Sequence, residues 1–375
     1  MIILPNMKSS IYKIRTLTFK ILVGGSFSGY NGNVQNQIIR LNSNGIRDTS
    51  FIIGDGFSYD YASVEKIAIQ SDGKIVVGGY FTSYNGTPQN YITRLNSDGT
   101  RDTSFTVGTG FDGLVYAIAV QSDGKILVGG SYSTFNGTSQ NGIVRLNSDG
   151  TRDTSFVIGT GFNGPVSTIA IQSDGKILVG GGHGGYSTFN GTSQNGIVRL
   201  NSDGTLDTGF TFVTGFFSEI HAVAVQSDGK ILIGGDFIIL DEFGNLLHAR
   251  IARLNFDGSR DTSFTMGGFN ERVYTIAIQS DGKIVVGGGE SYGYITRLNA
   301  DSTIDTSFVI GTGFDQTVKV IAIQPDGQIL VGGNFTSYNE TGGQQMFTRL
   351  NSDGTINEFP TWAFNEGSVN TIVIV

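Results

Sequence analysis

The chain has no cysteine, five prolines, one tryptophan and three histidines in 375 residues. Without cysteine there is no disulfide framework, no thiolate metal centre and no cysteine nucleophile. Charged residues make up only 15 % of the chain, and 24 Lys+Arg against 32 Asp+Glu give a net charge of −8. No basic stripe of the kind that phosphates need is visible, so no nucleic-acid partner is expected. No apolar run reaches the ~18 residues of a membrane span, so no membrane insertion is expected. Lys8, Lys13, Arg15 and Lys20 interrupt the apolar opening of Ile2, Ile3 and Leu4, and no signal peptide is recognisable.

What is abundant is glycine, 56 residues or about 15 % of the chain, roughly twice the usual share near ~7 %. Aromatics at 11 % and hydrophobic residues at 38 % supply a core, so disorder is excluded. The glycines fall in a repeat. The phrase QSDGKILVGG recurs with small changes, and the first glycine of its GG pair is Gly24, Gly78, Gly129, Gly180, Gly234, Gly287 and Gly332. RLN recurs from Arg40 to Arg349, and DTSF begins at Asp48, Asp102, Asp153, Asp261 and Asp305, with DTGF at Asp207.

One unit reads as four strands. In the third, VYAIAVQ (115–121) alternates, Ser122–Asp123–Gly124 turns, and KILVGG (125–130) is an apolar run. A polar loop follows, then GIVRLN (142–147), a second Ser-Asp-Gly turn and a closing segment. Asp-Gly between such runs is a hairpin signal, and no unit has a capped stretch of helical period. Seven antiparallel units of about 50 residues imply an all-β, seven-bladed β-propeller of four-stranded blades. The chain ends in VNTIVIV (369–375), which matches the first strand of a unit that blade 1 lacks. That strand is expected to complete blade 1 and close the ring. The expected organisation is a lead-in segment, 1–19, followed by a single propeller, 20–375.

The phrases QSDGKILVGG, YNGT, RLNSDGTRDTSF and GTGF resemble the delta-60 repeat, a domain-of-unknown-function β-propeller repeat, from about Lys20 to the end. The resemblance implies a propeller of the kind found in bacterial surface and secreted proteins and in bacteriophage virions. It carries over no catalytic residue. Blade 7 departs from the pattern, with Asn357–Glu358–Phe359 in place of DTSF and Trp362 near the GTGF position.

The Arg of RLN and the Asp of DTSF are always eight apart: Arg40/Asp48, Arg94/Asp102, Arg145/Asp153, Arg199/Asp207, Arg253/Asp261 and Arg297/Asp305. Across a hairpin that spacing brings them within pairing reach, and six copies read as structural ion pairs rather than a site. In blade 7 Asn357 opposes Arg349, where weaker pairing is expected. The NSDGTRD turns lack the spacing and the distant Glu of a calcium loop, so no metal is assigned. His183, His221 and His248 occupy three different places in their units and form no cluster. With no nucleophile–base pair, no catalytic residue and no cofactor are assigned, and the expectation is that the protein is not an enzyme.

Both Ser-Asp-Gly turns lie on one face of the ring, and the loops of variable length lie on the other. Specificity is expected on the variable face. Its regular loops carry Tyr30, Tyr84, Phe135, Phe189 and Tyr338, each followed by Asn, and its irregular ones carry His183, Asp241, Glu242, Phe243, His248 and Tyr292. An aromatic beside an amide suits a sugar or protein surface. Packing between blades, with Asn shaping a turn, is the competing account and outweighs it for the five regular copies. The expected role is a rigid display or assembly module of a bacteriophage virion, at the tail or host-facing surface. Its partners would be proteins of a larger assembly or a surface glycan or protein. The alternative is a bacterial cell-surface or secreted adhesion or carbohydrate-binding module, and a glycan-processing enzyme stands third.

Overall fold

The middle strand of every unit is apolar on both faces, so it must be covered on both sides, and that requirement organises the molecule. The computed structural model describes residues 19–375 except 59, 182–187, 195, 213, 241–245, 266–268, 291, 344 and 358–363. Residues 1–18 of the expected lead-in lie outside these. Among the described residues there is no helix.

Seven antiparallel sheets form the blades. In blade 2 the inner strand Ser63–Ile69 pairs with the middle strand Ile75–Tyr80, which pairs with the outer strand Ile92–Leu95. Blades 3, 4, 6 and 7 repeat this, with inner strands Leu114–Val120, Val166–Ile171, Val273–Ile278 and Val318–Ile323. Blade 5 has longer strands, Thr214–Val225, Ile231–Leu240 and Leu246–Leu254. Blade 1 takes its inner strand from the far end of the chain: Val369–Ile374 pairs with Lys20–Gly25, Ile21 opposite Ile374. Each inner strand contacts the next around the ring, the one in blade 7 meets the one in blade 1, and the circle is closed.

The fold class stands as expected, but the fourth strand is shorter than the pattern implied. After the outer strand the chain makes one bridge, Leu95 to Arg101 in blade 2, and leaves the ladder. The cause is the DTSF motif, which turns inward. Asp102 Oδ1 accepts from the backbone N–H and hydroxyl of Ser104, and Phe105 folds beneath Arg94, 4.7 Å from its guanidinium.

The core lies between blades rather than at a centre. One apolar layer joins Leu22 and Ile38 of blade 1 to Val64, Ile67, Ile75 and Val77 of blade 2. The layer between blades 7 and 1, with Leu330 and Phe347 against Ile21 and Val23, is built the same way. The first glycine of each GG pair sets the spacing. A Cβ on Gly78 would come within 2.4 Å of Val115 Cγ1 in the next blade. The step recurs around the ring and ends with Gly332 against Val369, across the closure.

Each RLN arginine is a second interblade link. Arg94 donates through Nε to Asp102 Oδ2 at 2.7 Å and through Nη1 to the Ser148 carbonyl in the turn of blade 3. Lys74 also reaches Asp102 Oδ2, at 2.8 Å. The same triad stands in blades 1 to 6. In blade 7 the lysine and the aspartate are both replaced, by Gln328 and Asn357. Arg349 Nη2 donates to Asn357 Oδ1 at 3.0 Å and Nη1 to Ser43 O of blade 1 at 2.9 Å.

Burial on its own would raise the Asp207 carboxyl, but Lys176, Arg199 and the Gly209 N–H outweigh it and hold it at about 2. Asp48, Asp102, Asp153, Asp261 and Asp305 are likewise held well below the usual carboxylate range. Groups depressed on folding stabilise the native state above the unfolded value of about 3.9 and lose that contribution as pH falls through the folded value. The melting temperature is therefore expected to be flat from neutrality to about pH 5 and to fall progressively between about pH 4 and 2. Calorimetry across that range checks it. Arg145→Ala, which leaves Asp153 without its arginine, is expected to cost on the order of 3 kcal/mol, and Arg349→Ala less, because Asn357 carries no charge. Equal losses in denaturant titrations would contradict the ion-pair assignment. Gly78→Ala is expected to cost about 1–3 kcal/mol through overpacking, read as a lower denaturation midpoint.

Candidate functional site

The inner strands share the pattern V-x-x-I-A-I-Q, and its first variable position interrupts the pairing. In blade 2 Val64 pairs with Gly79 and Lys66 with Gly78, so Glu65 sits in a bulge. The bulge recurs in all seven blades, at Tyr116, Ser167, His221, Tyr274, Lys319 and Asn370 as well. Bulges re-aim a side chain, and these seven line one cavity of about 510 Å³ at the mouth of the central channel, on the variable face. Glu290, Thr317 and Asn334 complete the lining. All seven bulge residues are half-buried.

Two hydrogen-bonded clusters frame the mouth. Across blades 7, 1 and 2, Lys319 Nζ donates to Asn370 Oδ1 at 3.1 Å and to Ser368 Oγ at 3.2 Å. Asn370 Nδ2 donates to Glu65 Oε1 at 3.1 Å, and the Ser63 hydroxyl donates to the same oxygen at 2.6 Å. On blades 5 and 6, Arg272 meets Glu290 at 2.7 Å, Asp236 at 3.2 Å and Glu219 at 3.5 Å. Arg250 pairs with Asp236 at 2.5 Å. His221 lies 3.5 Å from Glu219 and its ring is 4.9 Å from that of Tyr274.

Desolvation lowers the ammonium pKa of Lys319, and Lys66 stands exposed where other blades have Ala117, Thr168, Ala222, Thr275, Val320 or Thr371. Burial raises the phenols of Tyr116 and Tyr274, with Glu65 adding to the first. The side-chain oxygen of Asn334 is buried with no hydrogen-bond partner among the described residues.

Five of the eleven residues expected on the binding face are buried instead. Tyr30, Tyr84, Phe135, Phe189 and Tyr338 are buried, each at most 3 % exposed. Phe57 packs against Tyr84 with ring centroids 4.8 Å apart, and the hydroxyls of Tyr30, Tyr84 and Tyr338 donate to the carbonyls of Gly45, Gly99 and Gly354. The following Asn residues take positive φ, 47° at Asn85, as the Asn-Gly hairpin turn requires. Their side chains accept from the connection between blades, Asn190 Oδ1 from Thr160 N–H at 2.7 Å. These pairs are therefore corrected to interblade staples. His183, Asp241, Glu242 and Phe243 lie outside the described residues, as do Glu358, Phe359 and Trp362. His248 opposes Ile238 in the extended blade 5. Tyr292 is 76 % exposed, two residues from Glu290 at the mouth.

His221, which the sequence placed in no cluster and on no binding loop, lines the cavity. The bulge position carried a readable signal: it holds Asn, Glu, Tyr, Ser, His, Tyr and Lys after a nearly invariant Val and before a second, less variable position. A second cavity, of about 680 Å³ between blades 6 and 7 on the turn face, is lined by repeated scaffold groups such as Lys283, Arg297 and Gln324. The axial mouth is the better candidate because its lining differs from blade to blade.

The chain belongs to a family described as a domain of unknown function (DUF5122) beta-propeller, whose model matches residues 20–51, 70–105, 121–156, 172–210, 226–264, 279–308 and 324–358. No curated protein matches it. Solved structures similar to it include a protein of unknown function from Bacteroides caccae, 13 % identical with a TM-score of 0.39, covering 76 % of this chain and 92 % of that one. Another is the extracellular domain of a putative one component system from B. thetaiotaomicron, 13 % identical with a TM-score of 0.45, covering 84 % and 39 %. A third is a gluconolactonase from Xanthomonas campestris, 12 % identical with a TM-score of 0.40, covering 80 % and 90 %. These likenesses concern the fold alone. The expectation that the protein is not an enzyme does not stand, because propellers similar to it include one named as an enzyme. Its enzymatic status is open.

Lys319 lines the cavity with a depressed pKa, so it carries more free amine at pH 8 than an ordinary lysine. Limited acylation at that pH, followed by peptide mapping, is expected to label Lys319 ahead of the triad lysines Lys74 and Lys125. Uniform labelling would contradict the assignment.

Proposed function

We propose that the chain is a rigid display module that binds a polar ligand at the mouth of its axial channel, on the surface of a bacteriophage virion. The observation that supports the binding site is the ring of seven bulges, where an otherwise uniform scaffold presents seven positions with six kinds of side chain to one cavity. A scaffold need has no reason to vary there, since the neighbouring Val, Ile, Ala and Gln positions hardly change. Loops and bulges on a regular frame are where specificity is placed. The virion setting is supported by the resemblance of the repeats to the delta-60 repeat, which covers bacterial surface proteins as well as virions. A bacterial surface setting would use the same site toward a different partner.

Ser167 is the smallest of the seven and opens a slot between Tyr116 and His221, so Ser167→Trp is expected to fill the mouth from the channel wall. The variant should melt within about 2 °C of the parent and lose at least about tenfold in affinity, roughly 1.4 kcal/mol, for cell envelopes of the source culture. Unchanged envelope binding by the folded variant would refute the axial site. Recovery of the chain with density-gradient-purified phage particles is expected; recovery with the cell envelope would move it to the bacterial surface.

A further inference from the structure

We infer that the ligand held at the channel mouth is a neutral sugar ring. The inference rests on the reading of that mouth as a binding site and adds the chemical class. Its first support is charge. Arg272 and Arg250 are engaged by Glu290, Asp236 and Glu219. An anionic ligand would have to compete with three carboxylates for those guanidiniums. A cationic ligand would meet Lys319 beside the Glu65 carboxylate, with Lys66 next in the strand. Burying a charge is favourable only against an unpaired opposite charge, so the balanced wall favours a ligand with none.

The second support is the layout of flat rings and hydrogen-bonding groups. Tyr116 of blade 3 and the His221–Tyr274 pair of blades 5 and 6 flank Ser167, which contributes only a hydroxymethyl group. Aromatic faces take the C–H side of a ring while their polar tips stay wet. Opposite them, the chain Lys319–Asn370–Glu65 offers donors and acceptors in sequence across three blades. Glu65 Oε1 is already filled by Asn370 and Ser63, whereas Oε2 has no protein partner among the described residues. Lys319 has a third ammonium proton beyond the two it gives to Asn370 and Ser368. Ring hydroxyls, which both donate and accept, match a carboxylate oxygen and an ammonium held apart by the Asn370 amide. Asn334 adds its unpartnered buried oxygen as a further acceptor. The volume of about 510 Å³ falls within the ~300–1,000 Å³ of small-molecule sites.

The test applies the full chain to an array of neutral oligosaccharides beside matched sialylated and sulfated ones, followed by calorimetric titration of the strongest binder. Neutral glycans are expected to bind, with affinity unchanged between 0.1 and ~0.5 M salt because no net charge is exchanged. Glu65→Gln and Tyr274→Ala are each expected to weaken binding by about tenfold or more, with circular dichroism melting curves confirming that both fold. Binding confined to acidic glycans, affinity that falls steeply with salt, or no glycan bound at millimolar concentration would overturn the sugar class. If Ser167→Trp abolishes envelope binding while no neutral glycan binds, the class fails and the axial site survives. If neutral glycans bind Ser167→Trp as well as the parent, the axial site itself fails.

Discussion

The buried arginine of each RLN phrase is the contact on which the rest of the ring depends. Removing a guanidinium and a carboxylate from water is costly, and the pair is favourable only when geometry and the remaining hydrogen bonds are complete. Here they are. Arg94 gives Nε to Asp102, Nη1 to Gln70 and to the carbonyl of Ser148, and Nη2 to Ser104, and lays its face on Phe105. Every letter of DTSF except the threonine has a partner in that account. Because one of the acceptors belongs to the next blade, an interaction within a blade is also the joint between blades.

Blade 7 shows that charge balance, rather than the ion pair itself, is what the joint requires. The lysine and the aspartate are exchanged together for Gln328 and Asn357, so no carboxylate is left buried with too few cations. Arg349 keeps its crossing bond, now to Ser43 at the seam where the two ends of the chain meet. The seam therefore uses the same joint as the other six interfaces, with the C-terminal strand in place of a continuous chain.

How much of this was legible in the sequence follows from what each residue answers to. Turns, strand order, ring closure and the Arg–Asp spacing could be read because they obey local rules repeated many times. Tyr84 and its counterparts were ambiguous because an aromatic beside Asn-Gly has the same appearance whether its ring faces solvent or the neighbouring blade. Only the distance to Phe57 decides it. The bulge residues were passed over because V-x-x-I-A-I-Q reads as a simple alternating strand, and the extra residue that turns Glu65 toward the axis appears only in the register with Gly78 and Gly79. The pairing of Arg272 with Asp236, Glu219 and Glu290 joins residues from two strands and two connecting segments, and no spacing announces it.

A sevenfold ring with identical lining could recognise only what is common to all seven directions, such as size or net charge. Recognition of a ligand of lower symmetry needs the symmetry to be broken where the ligand sits and kept where the blades join. The molecule divides these tasks by radius. At larger radius, glycine steps and arginine joints tolerate almost no change, since a single added Cβ at Gly78 would strike Val115. At the axis, the bulge side chain is outside the pairing ladder, so Asn370, Glu65, Tyr116, Ser167, His221, Tyr274 and Lys319 can differ without cost to the frame. Blades 5 and 6 carry the asymmetry further. One has elongated strands, and the other has lost the regular hairpin and turned Glu290 to Arg272. The rigidity of the joints is thus what lets the axis vary, and the two features are one design constraint seen at two distances from the centre.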